Sequence, residues 1–157
     1  MRWWTKRHLE RVLGYVEKGQ AEGASLVLGG DRILKDSGGY FMAPTIFDNV
    51  KNKMSIATEE IFGPVLSVIS FDTIEEAVGL ANDNAYGLGA AIWSSNIDTA
   101  LSAARRLRAG QVWINNYDAS DLSVPWGGFK QSETGRDKSL HAFDEYTGLK
   151  ATWIQIR

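Results

Sequence analysis

Between residues 65 and 114 the sequence alternates strand and helix patterns across short connections, which leaves the chain few ways to fold. Residues 65–71 form a nearly unbroken apolar run, suited to a strand covered on both faces. Thr73-x-x-Glu76 is a capping box, in which a hydroxyl and a carboxylate each satisfy an orphan backbone N–H; Ile74, Ala77, Val78 and Ala81 supply the helical stripe behind it. Residues 88–93 read as a second strand. Ser94-Ser95-Asn96 leads into a helix with Ile97, Ala100, Leu101 and Ala104 on one side, and Gly110 stands where a helix end commonly takes a left-handed residue. Residues 111–114 are a third strand. Strands and helices in this order imply right-handed crossovers and a parallel sheet, so the region is α/β.

The flanks are less regular. Leu9, Val12, Leu13 and Val16 define one apolar stripe of a helix that starts after Thr5 and ends near Gly19 and Gly23. Residues 25–28 read as a short strand closed by Gly29-Gly30-Asp31, and residues 40–48 look extended, with Pro44 at an edge or a strand end. From 115 to 136 the pattern breaks into a long loop of the kind that is functional or disordered in a compact domain. Residues 149–156 are rich in β-formers and predict a terminal strand whose hydrophobic edge needs a partner. The simplest division is one compact unit, 1–146, and a projecting strand, 147–157.

At 157 residues, such a chain can bury roughly 68–70% of its unfolded surface, enough for a real core. A formal net charge of −2 offers no basic field, so neither nucleic acid nor an anionic membrane is expected as a partner. The sequence has no cysteine, which excludes a disulfide framework, a thiolate metal site and thiol catalysis by these residues. No apolar stretch approaches the length of a membrane span, and the first residues turn charged too early for a signal peptide, which makes the cytoplasm the default location.

Three segments could carry chemistry. In Thr58-Glu59-Glu60-Ile61-Phe62-Gly63-Pro64, a carboxylate beside a ring could accept two sugar hydroxyls while the ring packs on the same ligand; alternatively, the two glutamates are first-turn acids of a helix. In Pro125-Trp126-Gly127-Gly128-Phe129-Lys130, paired glycines allow close backbone approach and two aromatics could wall a pocket, or the segment is a tight turn with core aromatics. Thr134-Gly135-Arg136-Asp137 reads best as a helix cap, with Arg136 free to pair with a carboxylate. His8 and His141 sit far apart with no second ligand at metal spacing, so no metal site is expected.

The order and spelling of these segments resemble the aldehyde dehydrogenase superfamily from about Leu9 to Ile156. The resemblance is carried by Val12-Leu13-Gly14-Tyr15-Val16-Glu17-Lys18-Gly19, Gly39-Tyr40-Phe41-Met42-Ala43-Pro44-Thr45-Ile46-Phe47, Glu59-Glu60-Ile61-Phe62-Gly63-Pro64-Val65, Tyr86-Gly87-Leu88 and Pro125-Trp126-Gly127-Gly128-Phe129-Lys130. Within the family, Asn115-Asn116-Tyr117-Asp118 through Trp153-Ile154 looks most like bacterial enzymes that oxidise γ-glutamyl-aminobutyraldehyde. The resemblance implies the C-terminal half of the catalytic domain, a parallel-rich sheet with flanking helices, plus a terminal oligomerisation strand. It implies that Glu60 holds the nicotinamide ribose hydroxyls of NAD, that Phe62 packs beside that ribose, and that Trp126 and the loop around Ser120 line the aldehyde channel. The terminal strand would extend a sheet of a partner subunit in a homo-oligomer.

Two departures qualify that picture. Family members transfer a hydride from a thiohemiacetal formed on a cysteine and then hydrolyse a thioester with a glutamate base, and both residues lie upstream of the matched segment. The expected state is therefore a truncated aldehyde dehydrogenase that is inactive alone, contains no catalytic residue and binds no NAD tightly. The alternatives are an assembly module or one half of a split enzyme that lacks its N-terminal partner. Glu133 stands where the family usually has glycine; if that position needs positive φ, the glutamate costs strain.

Overall fold

Thr5 opens α1 (Lys6–Ala21), its hydroxyl accepting the His8 N–H at 3.2 Å and so satisfying one of the donors a helix start leaves orphaned. The computed structural model describes residues 5–156, so the charged opening before Thr5 and Arg157 lie outside the described residues. Leu9, Val12 and Val16 are buried along one side of α1, and each such side chain contributes about 1.5–3 kcal/mol on leaving water. They share one apolar cluster with Met42, Phe47, Ile56 and Ile61. The remaining elements of this part are β1 (Ser25–Leu28), β2 (Arg32–Ile33), β3 (Phe41–Met42), β4 (Thr45–Asp48), α2 (Ser55–Thr58) and β5 (Val65–Ser67). Pro44, which has no N–H to give a ladder, separates β3 from β4.

The sheet runs β1-β4-β5, with β4 antiparallel to β1 and parallel to β5, while β2 and β3 form a separate antiparallel pair. Alternation along β4 sends Phe47 to the buried cluster and Ile46 to the other face, beside Leu28 and Leu66. This corrects one expectation. The strand predicted over 65–71 stops at Ser67, and Leu66, Val68 and Phe71 are exposed, because β5 is an edge strand of a sheet covered on one face.

Packing divides the chain between Asp72 and Thr73, inside the span 1–146 that the sequence reading keeps whole. The second unit opens with α3 (Ile74–Asn82), where the Thr73 hydroxyl accepts the Glu76 N–H at 3.2 Å as the capping box requires. Then come β6 (Tyr86–Gly87), β7 (Gly89–Ile92), α4 (Ile97–Arg106), β8 (Gln111–Ile114), β9 (Phe129–Lys130) and α5 (Ala142–Tyr146). β7 and β8 are parallel with α4 as their crossover, and β6 pairs antiparallel with β9 inside what the sequence predicts to be loop. Both units are mixed α/β.

Three further expectations change in this unit. α4 buries Ala100 and Ala103, while Ile97 and Leu101 stay exposed; the small side chains are those turned to the strands. Gly110 is not left-handed: α4 ends at Arg106 with Leu107 extended, and glycine is required because a Cβ on Gly110 would lie 1.7 Å from the Gly127 carbonyl oxygen. Thr134 to Asp137 caps no helix. Asp137 instead exchanges backbone hydrogen bonds with Trp126, at 2.8 and 2.7 Å, and α5 starts only after His141. The terminal strand predicted over 149–156 is also not formed: residues 147–156 carry no helix or strand, because no described strand lies beside them to share a ladder, and Leu149, Trp153, Ile154 and Ile156 are exposed. Among the described residues no helix is long and apolar enough to cross a membrane.

Two glycines test this account of backbone packing. Gly110→Ala should lower stability in urea unfolding by about 1–3 kcal/mol, the usual cost of overpacking. Gly14→Ala, on an open face of α1 with nothing within 4 Å, should raise it by about 0.5–1 kcal/mol, since glycine weakens a helix interior.

Candidate functional site

α1 carries a second stripe beside its apolar one. His8, Arg11, Tyr15 and Lys18 follow one another at helical spacing, and each of them grips the segment 59–62. The Phe62 carbonyl accepts from His8 Nε2 at 3.0 Å, and the Ile61 carbonyl accepts from Arg11 Nη2. Tyr15 Oη donates to Glu59 Oε2 at 2.8 Å while Lys18 Nζ donates to Glu59 Oε1 at 3.0 Å, so that both carboxylate oxygens are occupied. Gly63 allows this closeness, because a Cβ there would come within 2.6 Å of Val12 Cγ1. The sequence reading missed the four gripping residues, although their spacing on α1 was visible.

The segment follows the C-terminal end of α2, with Glu59 as its cap, so the reading of Glu59 and Glu60 as first-turn acids is corrected. The two glutamates differ in what they touch. Glu59 is spent on α1, whereas the exposed Glu60 carboxylate makes no hydrogen bond or ion pair with any described residue. Phe62 is 65% exposed and holds φ at 52°, a conformation that costs a bulky residue about 1–2 kcal/mol. Glu60 and Phe62 line one open groove of about 330 Å³ together with Ile56, Glu59, Ser67 and Ile69. A free two-oxygen acceptor beside an exposed ring matches a vicinal diol on an apolar-faced sugar, so these residues fit a ribose.

Trp126 and Ser120 come together in the second unit. Trp113 organises the loop before them: its Nε1 donates to the Ala119 carbonyl at 2.8 Å, and its ring lies 5.5 Å from that of Tyr117 and 6.3 Å from that of Trp126. Trp126 and Ser120 line a cavity of about 290 Å³ with Asp121, Val124 and Lys138. Lys138 Nζ sits 5.0 Å from the Trp126 ring centroid and donates to Ser120 Oγ at 3.4 Å. The two hydrogen bonds from Ser123 to Asp121 hold that carboxyl below its ordinary pKa, with a smaller push from Lys138. Asp121 and Lys138 had no signal in the sequence, since neither belongs to a motif.

The paired glycines behave differently from the expectation. The close approaches they permit are to the Gly135 carbonyl, 2.6 Å from where a Gly127 Cβ would lie, and to Ser132, 2.6 Å from a Gly128 Cβ, and only Trp126 of the two aromatics reaches the cavity, the Phe129 ring lying against Arg108 and Arg136. Arg136 donates to the carbonyls of Gly128 and Gly135 rather than pairing with a carboxylate. Glu133 avoids positive φ, so the feared strain is absent; its carboxylate accepts the Gly128 N–H at 3.2 Å.

The Tyr15–Glu59–Lys18 contact has a pH window. Hydrogen bonds from Lys18 and then Tyr15 lower the Glu59 pKa from 4.5, and the bond to Glu59 raises Tyr15 from 10.0 and Lys18 from 10.5. A lowered acid stabilises above its unfolded value and fails as pH falls through its folded one; a raised tyrosine or lysine stabilises below its unfolded value and fails as pH rises through its folded one. The stability difference between this chain and Glu59→Gln should therefore be flat from about pH 5 to 9.5 and shrink on either side, as read by urea titrations across pH.

The sequence model of the aldehyde dehydrogenase family matches residues 3–152. The chain is 46% identical over 97% of its length to a putative aldehyde dehydrogenase, DhaS, of Bacillus subtilis, and 46% identical over 95% to the NADP/NAD-dependent aldehyde dehydrogenase PuuC of Escherichia coli. It spans only 30% and 29% of those two relatives. The crystal structure of an indole-3-acetaldehyde dehydrogenase complexed with NAD+ superposes with a TM-score of 0.93 and 56% identity, covering 99% of this chain and 31% of that one.

Proposed function

The chain belongs to the aldehyde dehydrogenase family, and we propose that it supplies the ribose clamp and part of the aldehyde channel to an NAD-dependent oxidation of aldehydes to carboxylates, being inactive by itself. The observation that carries this is the pairing of an uncommitted Glu60 carboxylate with an exposed Phe62 ring that α1 holds in a strained conformation. Bound NAD supplies the hydride acceptor. Glu60 accepts hydrogen bonds from the two nicotinamide ribose hydroxyls, Phe62 packs beside that sugar, and Glu59, tied to Tyr15 and Lys18, keeps the neighbouring backbone from drifting. Trp126 and Ser120 form the channel wall against which the substrate's carbon chain lies. None of these groups is a thiol, and the sequence has no cysteine to form the thiohemiacetal from which the family transfers its hydride.

The finer reading of substrate is γ-glutamyl-aminobutyraldehyde, supported by the ending from Asn115 through Trp153-Ile154. A second reading, assembly with copies of itself, is favoured by the tail, where Leu149, Trp153, Ile154 and Ile156 leave a hydrophobic strand-forming segment uncovered. A chain that stays monomeric at all concentrations and is unchanged by deletion of 149–156 would exclude it.

The function is tested by following NADH with a panel of aldehydes. The pure chain should produce none, whereas mixing with a polypeptide that carries the cysteine-bearing part of a relative should restore turnover; sustained NADH from the pure chain would overturn inactivity. In the restored system Glu60→Gln should lower kcat/KM for NAD by about 10- to 100-fold, the equivalent of roughly 1.5–3 kcal/mol for hydrogen bonds to a charged acceptor.

A further inference from the structure

We propose that Glu133 and Arg136 are positioning residues for the aldehyde channel, gripping the N–H and the carbonyl of Gly128 and so fixing the Gly127-Gly128 hinge that follows Trp126. This rests on the reading of Trp126 as channel lining and adds what holds that wall in place. Two consecutive glycines beside a cavity residue are a weak point, since glycine has more backbone freedom than any other residue. Larger residues cannot supply the missing stiffness here. A Cβ on Gly127 would lie 2.6 Å from the Gly135 carbonyl oxygen and 2.9 Å from Arg136 Cδ, and one on Gly128 would lie 2.6 Å from Ser132 Cβ. The hinge must therefore be stiffened by its neighbours.

The stiffening comes from residues 132–137. The Gly128 N–H donates to Glu133 Oε2 at 3.2 Å, and the Gly128 carbonyl accepts from Arg136 Nη1 at 2.9 Å. Bonds with one charged partner are the stronger class of hydrogen bond, and these two take both polar groups of a single residue. Arg136 reaches the carbonyl by lying along the Gly127 backbone, and its guanidinium also packs 4.9 Å from the Phe129 ring centroid. On either side of the hinge the chain is already tied: Trp126 exchanges backbone bonds with Asp137 at 2.8 and 2.7 Å, and Phe129 pairs with Gly87 in β9. Ser132 completes the frame, its N–H donating to the Phe129 carbonyl at 3.2 Å and its hydroxyl accepting the Gly87 N–H at 2.9 Å. Between these anchors lie the two glycines, and Glu133 and Arg136 bond the second of them. Release of either bond lets the hinge swivel, and the Trp126 indole then loses its fixed place at the cavity, 6.3 Å from the Trp113 ring and 5.0 Å from Lys138 Nζ. A wall that wanders must be ordered again each time a substrate is aligned against it.

The test reads the Trp126 indole in the 157-residue chain by NMR. In the unaltered chain its ring should share NOEs with Trp113, and its N–H should relax like the surrounding strand amides. Glu133→Ala should lose those NOEs and raise the mobility of the indole N–H, and Arg136→Met should do the same. Glu133→Gln changes charge but not shape, and its amide oxygen can accept the same N–H, so it should keep both signals. In the mixture that restores NADH formation, Glu133→Ala should raise KM for the aldehyde about tenfold and leave KM for NAD unchanged, a split that general loss of structure does not give. Unchanged Trp126 signals in Glu133→Ala or Arg136→Met, an equal loss in Glu133→Gln, or KM values for aldehyde and NAD that rise together would overturn the proposal. Trp126 signals that depend on Glu133 while no mixture forms NADH would count against the dehydrogenase reading alone, and NADH formation with Trp126 insensitive to Glu133 against the positioning role alone.

Discussion

The closeness of α1 to the backbone at 61–63 is the constraint on which the first unit's chemistry depends. It exists because Gly63 has no side chain to hold Val12 away and because Gly19, further along the helix, admits Ile56 in the same manner. Once α1 lies that near, its apolar stripe seals the core while the adjacent stripe of His8, Arg11, Tyr15 and Lys18 reaches carbonyls and a carboxylate that would otherwise be solvated. Exposed pairs of this kind add little to stability. Their consequence is positional: they consume Glu59 and fix Phe62, and so leave Glu60 as the one acid of the segment with both oxygens available.

The second unit solves the same problem with an aromatic post instead of a helix. Trp113, at the end of β8, ties the following loop through its indole N–H to Ala119 and through ring contacts to Tyr117 and Trp126. The backbone exchange between Trp126 and Asp137 then brings residues far apart in sequence to one cavity wall. A loop pinned at both ends in this way can present Ser120 and Asp121 in fixed places without regular secondary structure, and only a limited part of the chain's conformational entropy is left to be lost when a ligand binds.

What could be read in advance was whatever depends on local physics. Thr5 and Thr73 cap helices where their spacing says they should, and Pro44 divides two strands because it cannot donate to a ladder. Leu9, Val12 and Val16 are buried because three apolar residues on one helix face have few other places to go. The errors fall where a residue's role is set by something distant. Gly110 looks like a helix end from its neighbours, yet its requirement comes from Gly127. Thr134 and Asp137 spell a cap, yet a backbone pairing with Trp126 claims Asp137 first. For the site, it was the family resemblance that pointed to Glu60, Phe62, Trp126 and Ser120, the residues alone leaving a structural role open for each segment, and Lys138 and Asp121 follow from loop geometry that no spacing rule encodes.

Backbone strain alone does not mark a groove, since Leu34 and Lys130 also hold positive φ and line neither of the two. Several residues hold positive φ, and for Asn49, Asn115 and Asp118 the cost is small, since short polar side chains tolerate that region by bonding nearby backbone. Phe62 and Lys138 have no such relief, and for them the penalty is about 1–2 kcal/mol each. In both cases a neighbouring hydrogen bond sustains the distortion, from His8 to the Phe62 carbonyl and from the N–H of Ser139 to Leu122. In both cases the result is a side chain that lines a groove rather than the core. At Phe62 the distortion turns the ring into the groove that the uncommitted Glu60 carboxylate also lines, so the strain there does what a relaxed backbone would not: it brings an apolar face beside a free acceptor.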